Sequence, residues 1–436
     1  MNQKEELQKM RKTNMKIFPI YKKLGWDYLF YYTIDFLFLT QIKGISAADV
    51  VLKGTFYSLF IMILQIPSNI IVEFLGRKNS IVLANVLNCF YMVVIMLSKN
   101  LGDLIFAEFI EAMVFSIKDV TEPSLLNESI PPSRNKSKMF AKINAKGTSG
   151  YYIFNAISKL ASGYLFAING YLPMICSLIV LIVVTIISIG FIEPVKKKKP
   201  NINELLNKKQ IKEIKEGFSY IIKSERLKAL VLPSTAIVTL IIILRNYHVS
   251  LLEDLNLSSV MIGIISAIGC LVSSFASKRQ EIFHQKLRNK SIFVISIMFS
   301  ISSLIAGTMG LLAEKHIIFI FILISINMIY YFAQGTYYSI IDKYFRNFSN
   351  EKIDVKIFSA KNLFENFGRM IGGLMAAFLL SKISTAYCMI VIGIIFTIIY
   401  ILLAKYMKTR VGLKPEEYSE EERKYDEQKQ LKEIYK

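Results

Sequence analysis

Twelve long apolar stretches run through the chain, parted by short polar loops, near 25–43, 50–73, 80–98, 103–126, 145–168, 172–192, 229–251, 257–277, 291–312, 316–341, 357–381 and 384–406. A helix needs about 20 apolar residues to cross a hydrocarbon core about 30 Å thick, so each stretch qualifies as a span. The pattern predicts an all-α, polytopic membrane protein of twelve transmembrane helices. With the N-terminus threaded into the cytoplasm, the external loops hold only Lys43, Lys53, Lys99, Lys315 and Lys382, and most of the 53 Lys and Arg fall on the other side. That asymmetry sets orientation, and it predicts both termini in the cytoplasm of a bacterial-type plasma membrane.

One break in the pattern divides the chain. Glu-Pro-Val-Lys-Lys-Lys-Lys-Pro (193–200) leads into Ile211, Ile214, Phe218, Ile221 and Ile222 at helical spacing among lysines, the signature of an amphipathic helix lying at the membrane interface. The expected organisation is a cytoplasmic segment 1–24, a six-helix bundle 25–192, a cytoplasmic central loop 193–228, a second bundle 229–406 and a charged tail 407–436. A repeat supports the division. Leu-Gly-Arg-Lys-Asn-Ser-Ile-Val (75–82) is similar to Lys-Leu-Arg-Asn-Lys-Ser-Ile-Phe (286–293), and Ser162-Gly163 aligns with Gly372-Gly373 at nearly the same offset. Two related halves of six spans are what transporters with parallel repeats carry.

The formal net charge of +20 would suit nucleic acid, but the basic residues flank the spans, where they attract lipid headgroups and hold topology. Membrane lipids, and no nucleic acid, are the expected partners. No small-residue cleavage site precedes the first span, so that span is expected to be retained. Cys89, Cys176, Cys270 and Cys388 are scattered through apolar spans and His248, His284 and His316 are dispersed. No metal site, no Cys/His catalytic pair and no phosphate-binding Gly-rich loop is legible. The expectation is a protein that is not an enzyme and has no cofactor.

The loop after the second span carries a resemblance. The major facilitator superfamily has Gly-x-x-x-Asp-Arg-x-Gly-Arg-Lys there. In this chain Gly76, Arg77 and Lys78 match, Glu73 stands for the Asp, Asn69 for the first Gly and Phe74 for the first Arg. Together with the six-plus-six topology, the basic central loop with Lys-Glu-Gly-Phe-Ser-Tyr-Ile-Ile-Lys-Ser (215–224) and Ser-Gly-Tyr-Leu-Phe-Ala-Ile-Asn-Gly-Tyr (162–171), the chain resembles that superfamily over essentially its whole length. The resemblance implies two pseudo-twofold-related six-helix bundles and a cytoplasmic gate at Glu73, Gly76, Arg77 and Lys78, with Arg288 as the counterpart in the second half. A tight turn bearing orienting charges is the alternative reading of the same loop. Proton-coupled drug exporters of the family usually carry an Arg in the fourth span and a Gly-Pro pair in the fifth. Here Glu108 stands near that Arg position and the fifth span has no Pro, so the chain departs from that group.

The candidate site follows from the cost of burying charge, a few kcal/mol at least unless the group is paired or wetted. Glu108, Glu111, Phe115, Lys118 and Glu122 recur every three or four residues on one face of the fourth span, with Asp119 beside it. By the resemblance, spans one, four, seven and ten line the central cavity, which puts this stripe on the substrate path; a buried structural network around Lys118 is the alternative. Tyr28, Tyr31, Tyr32 and Asp35 share a helical face in the first span, and Arg245 in the seventh falls near the repeat-related depth of Asp35. Lys159 maps onto Arg369, and Asn155 onto Glu365. The two basic groups form a site for an anionic moiety, or Arg369 pairs with Glu365 one turn earlier. Gln334, among the tyrosines of the tenth span, is a further substrate contact.

Energy coupling needs a group that gains and loses a proton as access alternates, and Asp35, Glu108 and Glu111 are the candidates. The expected function is secondary active transport of a small organic solute by a monomer, with a coupling proton and with export favoured over import. A nutrient importer of the same fold, or a non-transporting membrane sensor, is the alternative.

Overall fold

A computed structural model describes residues 3–131, 136–193, 209–287, 290–313, 316–347, 354–408 and 410. Among them the regular elements are fourteen α-helices and one π-helical turn, with no strand. They are α1 (Gln3–Gly25), α2 (Asp35–Leu37) running into the π turn Phe38–Ile42, α3 (Ala47–Leu75), α4 (Arg77–Leu97), α5 (Leu101–Ser129), α6 (Lys136–Ile168), α7 (Leu172–Ile189), α8 (Lys209–Lys223), α9 (Glu225–Asp254), α10 (Ser259–Leu287), α11 (Ser291–Ala313), α12 (Ile318–Asn347), α13 (Asp354–Leu380) and α14 (Thr385–Lys408). The chain divides into two compact units: Met1–Asn207 with Ser258–Ala267, and Lys208–Leu257 with Ile268–Lys436.

Nine helices among the described residues are long and apolar enough to cross a membrane: α3, α4, α7, α9, α10, α11, α12, α13 and α14. The protein is a multi-pass membrane protein. The expected fourth and fifth spans are present as α5, 29 residues, and α6, 33 residues, each over about 40 Å long at 1.5 Å per residue. α5 is long enough to span but polar, with Glu108, Glu111, Lys118, Asp119 and Glu122 in its middle.

The first span departs most from expectation. In place of one helix over 25–43 behind a separate segment 1–24, the chain is helical from Gln3 to Gly25, leaves the helix over 26–34, and resumes at Asp35. α1 belongs to the first unit, where it packs on α6, α7 and α5. Phe18 and Tyr21 join Ile81, Leu125, Leu126, Val184 and Phe191 in the core. Glycine ends the helix readily, and beyond it Trp26, Tyr28, Phe30, Tyr31 and Tyr32 are bulky rings followed by β-branched Thr33 and Ile34, all of middling helix propensity. Phe30 holds φ at +70°, a left-handed conformation uncommon for a residue with a side chain. The matching span of the second unit, α9, is continuous over 30 residues.

α5 lies between α3 and α4 in the first unit; in the second, α11 packs on α12 and α14, and α9 on α13 and α14. Gly372 allows the α9–α13 approach, since a Cβ there would sit 2.2 Å from Thr239 Cγ2. A helix, α8, stands where the interfacial helix is expected, with Ile222 exposed on it. It packs on α13 and α9, with Phe218 stacked on Phe364 at 4.2 Å between ring centres and Tyr220 and Ile221 buried. Residues 194–208 of the expected central loop and 411–436 of the expected tail lie outside the described residues.

Asn14 ties α1 to the ends of α5 and α7 in the first unit. Fully buried, its amide donates to Ser129 Oγ at 2.9 Å and to the Ile192 carbonyl at 2.8 Å, and its carbonyl accepts from the Ile192 amide at 2.9 Å. Asn14→Leu removes all three partners and leaves buried polar groups unsatisfied, at about 1–3 kcal/mol each. Thermal unfolding of the detergent-solubilised variant is expected several degrees below that of the unsubstituted protein, with no change in the residues that carry charge in α5.

Candidate functional site

Three carboxylates and one ammonium meet in the interior of the first unit. Lys53, on α3 two turns after the Ser46 cap, is buried, and its Nζ donates to Glu108 Oε1 at 3.1 Å and lies 3.9 Å from Asp35 Oδ2. Asp35 opens α2, and its Oδ1 accepts the Phe36 amide at 2.8 Å, while its Oδ2, buried as well, has no hydrogen bond. Glu111 sits one turn along α5 from Glu108, on the same face, and accepts a hydrogen bond from the Tyr32 hydroxyl. The sequence reading put Lys53 in an external loop. The structure corrects this, and the signal was available: Lys53 falls inside the second apolar stretch, not beyond it.

The rings of the broken segment wall this cluster. Tyr28 lies 4.9 Å from Tyr91 and 5.3 Å from Tyr32, centre to centre, and 5.9 Å from Phe115 of α5. Its hydroxyl donates to Asn88 Oδ1 at 2.6 Å, and the Lys53 ammonium stands 5.9 Å from the Tyr31 ring. These tyrosines gather in a segment of turns outside the regular helix, where the Tyr32 amide still donates to the Tyr28 carbonyl. Asp35 pairs within its own unit, with Lys53; Arg245 is an exposed residue of α9.

Further along α5 lies a second polar group. Lys118 donates to the carbonyl of Gly25, the last residue of α1, and stands 3.7 Å from Glu122 Oε1. Tyr21 donates to the same Glu122 oxygen at 2.9 Å. Glu122 is buried among these partners, and Asp119 is exposed on the side of the helix next to them.

The loop between α3 and α4 is built around Gly76, whose φ of +84° favours glycine. The carboxylate that closes it is one the sequence reading did not single out. Glu193, just after α7, accepts the amides of Arg77 and Lys78 at 2.8 Å each, an anion seated on a helix N-terminus. The Arg77 guanidinium lies 3.6 Å from Glu128 at the end of α5, whereas Glu73, offered as the acidic partner in the motif, is exposed on α3. Arg288 lies outside the described residues.

In the second unit Glu365 is buried and takes its ion pair from Lys361, at 3.3 Å, and a hydrogen bond from Ser234, whose hydroxyl also meets Tyr337 at 2.8 Å. Arg369 does not pair with Glu365; it reaches Asn366 at 3.4 Å. Lys361, at the i−4 position on the same face of α13, competes successfully for the carboxylate. Lys159 on α6 and Gln334 on α12 are both half-buried. Among the described residues, no group of three or more His, Cys, Asp or Glu is placed to hold a metal ion.

A sequence-family model described as Major Facilitator Superfamily matches residues 26–353. No curated protein sequence matches the chain. Among solved structures, the nucleoside transporter NupG is similar at a TM-score of 0.65 and 13% identity, over 93% of this chain and 100% of that one. A POT family transporter in complex with 5-aminolevulinic acid is similar at 0.66 and 12% identity, over 92% and 97%.

Removing one partner of a buried ion pair costs about 3–5 kcal/mol, whereas replacing both by apolar groups is often neutral. Lys53→Met is therefore expected to lower the yield and melting temperature of the purified protein sharply, and Lys53→Met with Glu108→Leu to recover most of both. Equal stability of the single and double variants would show that the pair is not buried as described.

Proposed function

The chain belongs to the major facilitator superfamily, and on that premise we propose that it is a secondary transporter coupling protons to the export of a small organic solute across the plasma membrane. The two units alternate access to a site near the membrane midplane, and the protein works as a monomer with both termini in the cytoplasm.

The observation that carries the coupling is the charge count in the first unit. Asp35 and Glu108 share the ammonium of Lys53, Glu111 one turn further along α5 is met by the Tyr32 hydroxyl, and an excess of buried negative charge is costly in a medium of low dielectric. Protons or a solute bearing positive charge or N–H donors relieve it. When both compete for the same carboxylates, arrival of one expels the other, which links their fluxes in opposite directions. Glu111 is the favoured proton carrier, because Lys53 stands nearer to the other two carboxylates and the contact of Glu111 is a neutral hydroxyl. Losing or gaining that proton makes or weakens the Tyr32 hydrogen bond. The state of the site is thereby passed to the unwound part of the first span. Lys361 and Glu365 pair with one another in the second unit, and Arg245, Gln334, Lys159 and Arg369 are the further polar groups this reading assigns to the solute.

Growth of a deletion strain against toxic compounds and single nutrients identifies a solute, and flux of that solute is then followed in proteoliposomes under an imposed pH gradient. The gradient is expected to accelerate flux in the unsubstituted protein. Glu111→Gln, which retains the hydrogen-bonding shape but holds no exchangeable charge, is expected to show slow flux indifferent to the gradient. Wild-type flux that ignores the gradient would remove proton coupling, and flux absent under every condition would remove transport itself.

A further inference from the structure

The unwound segment 26–34 is gripped at both ends by α5. At its start, the Lys118 ammonium binds the Gly25 carbonyl. Toward its end, Tyr32 binds Glu111, two turns before Lys118 on the same face of α5. Ser162 of α6 adds a third hold, donating to the Phe30 carbonyl at 2.8 Å. Backbone freed from a helix at membrane depth must find partners in the protein or in a wet cavity, and here turn hydrogen bonds within the segment supply most of them, with Ser162 serving the Phe30 carbonyl.

The surroundings of the Lys118 ammonium are those of a bound cation. It faces the carbonyl end of α1, where the aligned peptide dipoles leave partial negative charge, with the Glu122 carboxylate at 3.7 Å. The ring centres of Tyr21 and Phe115 lie 5.7 and 5.9 Å away, within the range of cation–π attraction. Lys118 is 4% exposed and Glu122 8%. Carbonyl ends of broken helices coordinate dissolved cations in other transporters.

We infer that this is a cation site whose occupant is tethered: the Lys118 ammonium fills it permanently and, as a positioning residue, holds the first span open so that Tyr28, Tyr31 and Tyr32 stand beside Glu111. The chemical class it takes is a small primary ammonium, the group that Lys118 itself presents to the Gly25 carbonyl. The first span therefore needs no ion from solution to keep its break. Only the flux arm of the test below rests on the transport reading.

Trp26, the chain's one tryptophan, begins the segment, 5.1 Å from the Tyr151 ring and with the Lys22 ammonium 4.8 Å from its own. Its emission reports the break directly, with no substrate present. Lys118→Ala is expected to shift that emission and to lower flux roughly ten- to hundredfold, the scale of a misplaced site. Methylammonium should restore both, while tetramethylammonium, which has no N–H, should restore neither. Unshifted emission, or a shift that methylammonium leaves in place, overturns the inference. Should Lys118→Ala fail to fold, Lys118→Met with Glu122→Leu replaces the ion pair by an apolar pair of similar size, which such sites tolerate. Shifted emission with lost flux in the double variant supports the tethered cation, and unchanged emission and flux refute it.

Discussion

Every charged group placed in the apolar interior must meet a partner there, and that one requirement organises the first unit. α5 carries the charges, and its neighbours are arranged to answer them. α3 supplies Lys53 to Glu108, the broken first span supplies Tyr32 to Glu111, and α1 supplies both a carbonyl to Lys118 and the Tyr21 hydroxyl to Glu122. Removing α5's polar stripe would leave three neighbours with orphaned groups of their own. The polarity that disqualifies α5 as an ordinary lipid-facing span is what fixes its position in the bundle.

This explains which parts of the molecule were legible in the sequence. Apolar runs of sufficient length announce a span with little ambiguity, and the stripe Glu108, Glu111, Lys118 and Glu122 was readable because its spacing matches the helix that bears it. Partners were not readable in the same way. Lys53 and Glu108 are 55 positions apart and Arg77 and Glu128 are 51 apart, and no periodicity connects them. Glu365 had two basic residues one turn away on either side, Lys361 and Arg369, and spacing alone could not choose between them; the structure gives it to Lys361.

The break in the first span was hidden for a different reason. Hydropathy sums over a window, and a stretch of tyrosines, leucine and isoleucine scores as a span whether its backbone is coiled or extended. The tyrosine spacing imitated a helical face. What decides the conformation is the reward from outside the segment: ring packing against Tyr91 and Phe115, the Lys118 bond to the Gly25 carbonyl just before it and the Ser162 bond to the Phe30 carbonyl within it. Tertiary contacts override local preference most easily where that preference is weak, as it is for aromatic residues.

The left-handed backbone at Phe30 has a thermodynamic meaning. A side chain kept in that region stores on the order of 1–3 kcal/mol of strain. Set against a two-state equilibrium, such a store is equivalent to a population bias of about 5- to 150-fold. Strain of that size at Phe30 is comparable to the preference by which a bound ligand biases two states.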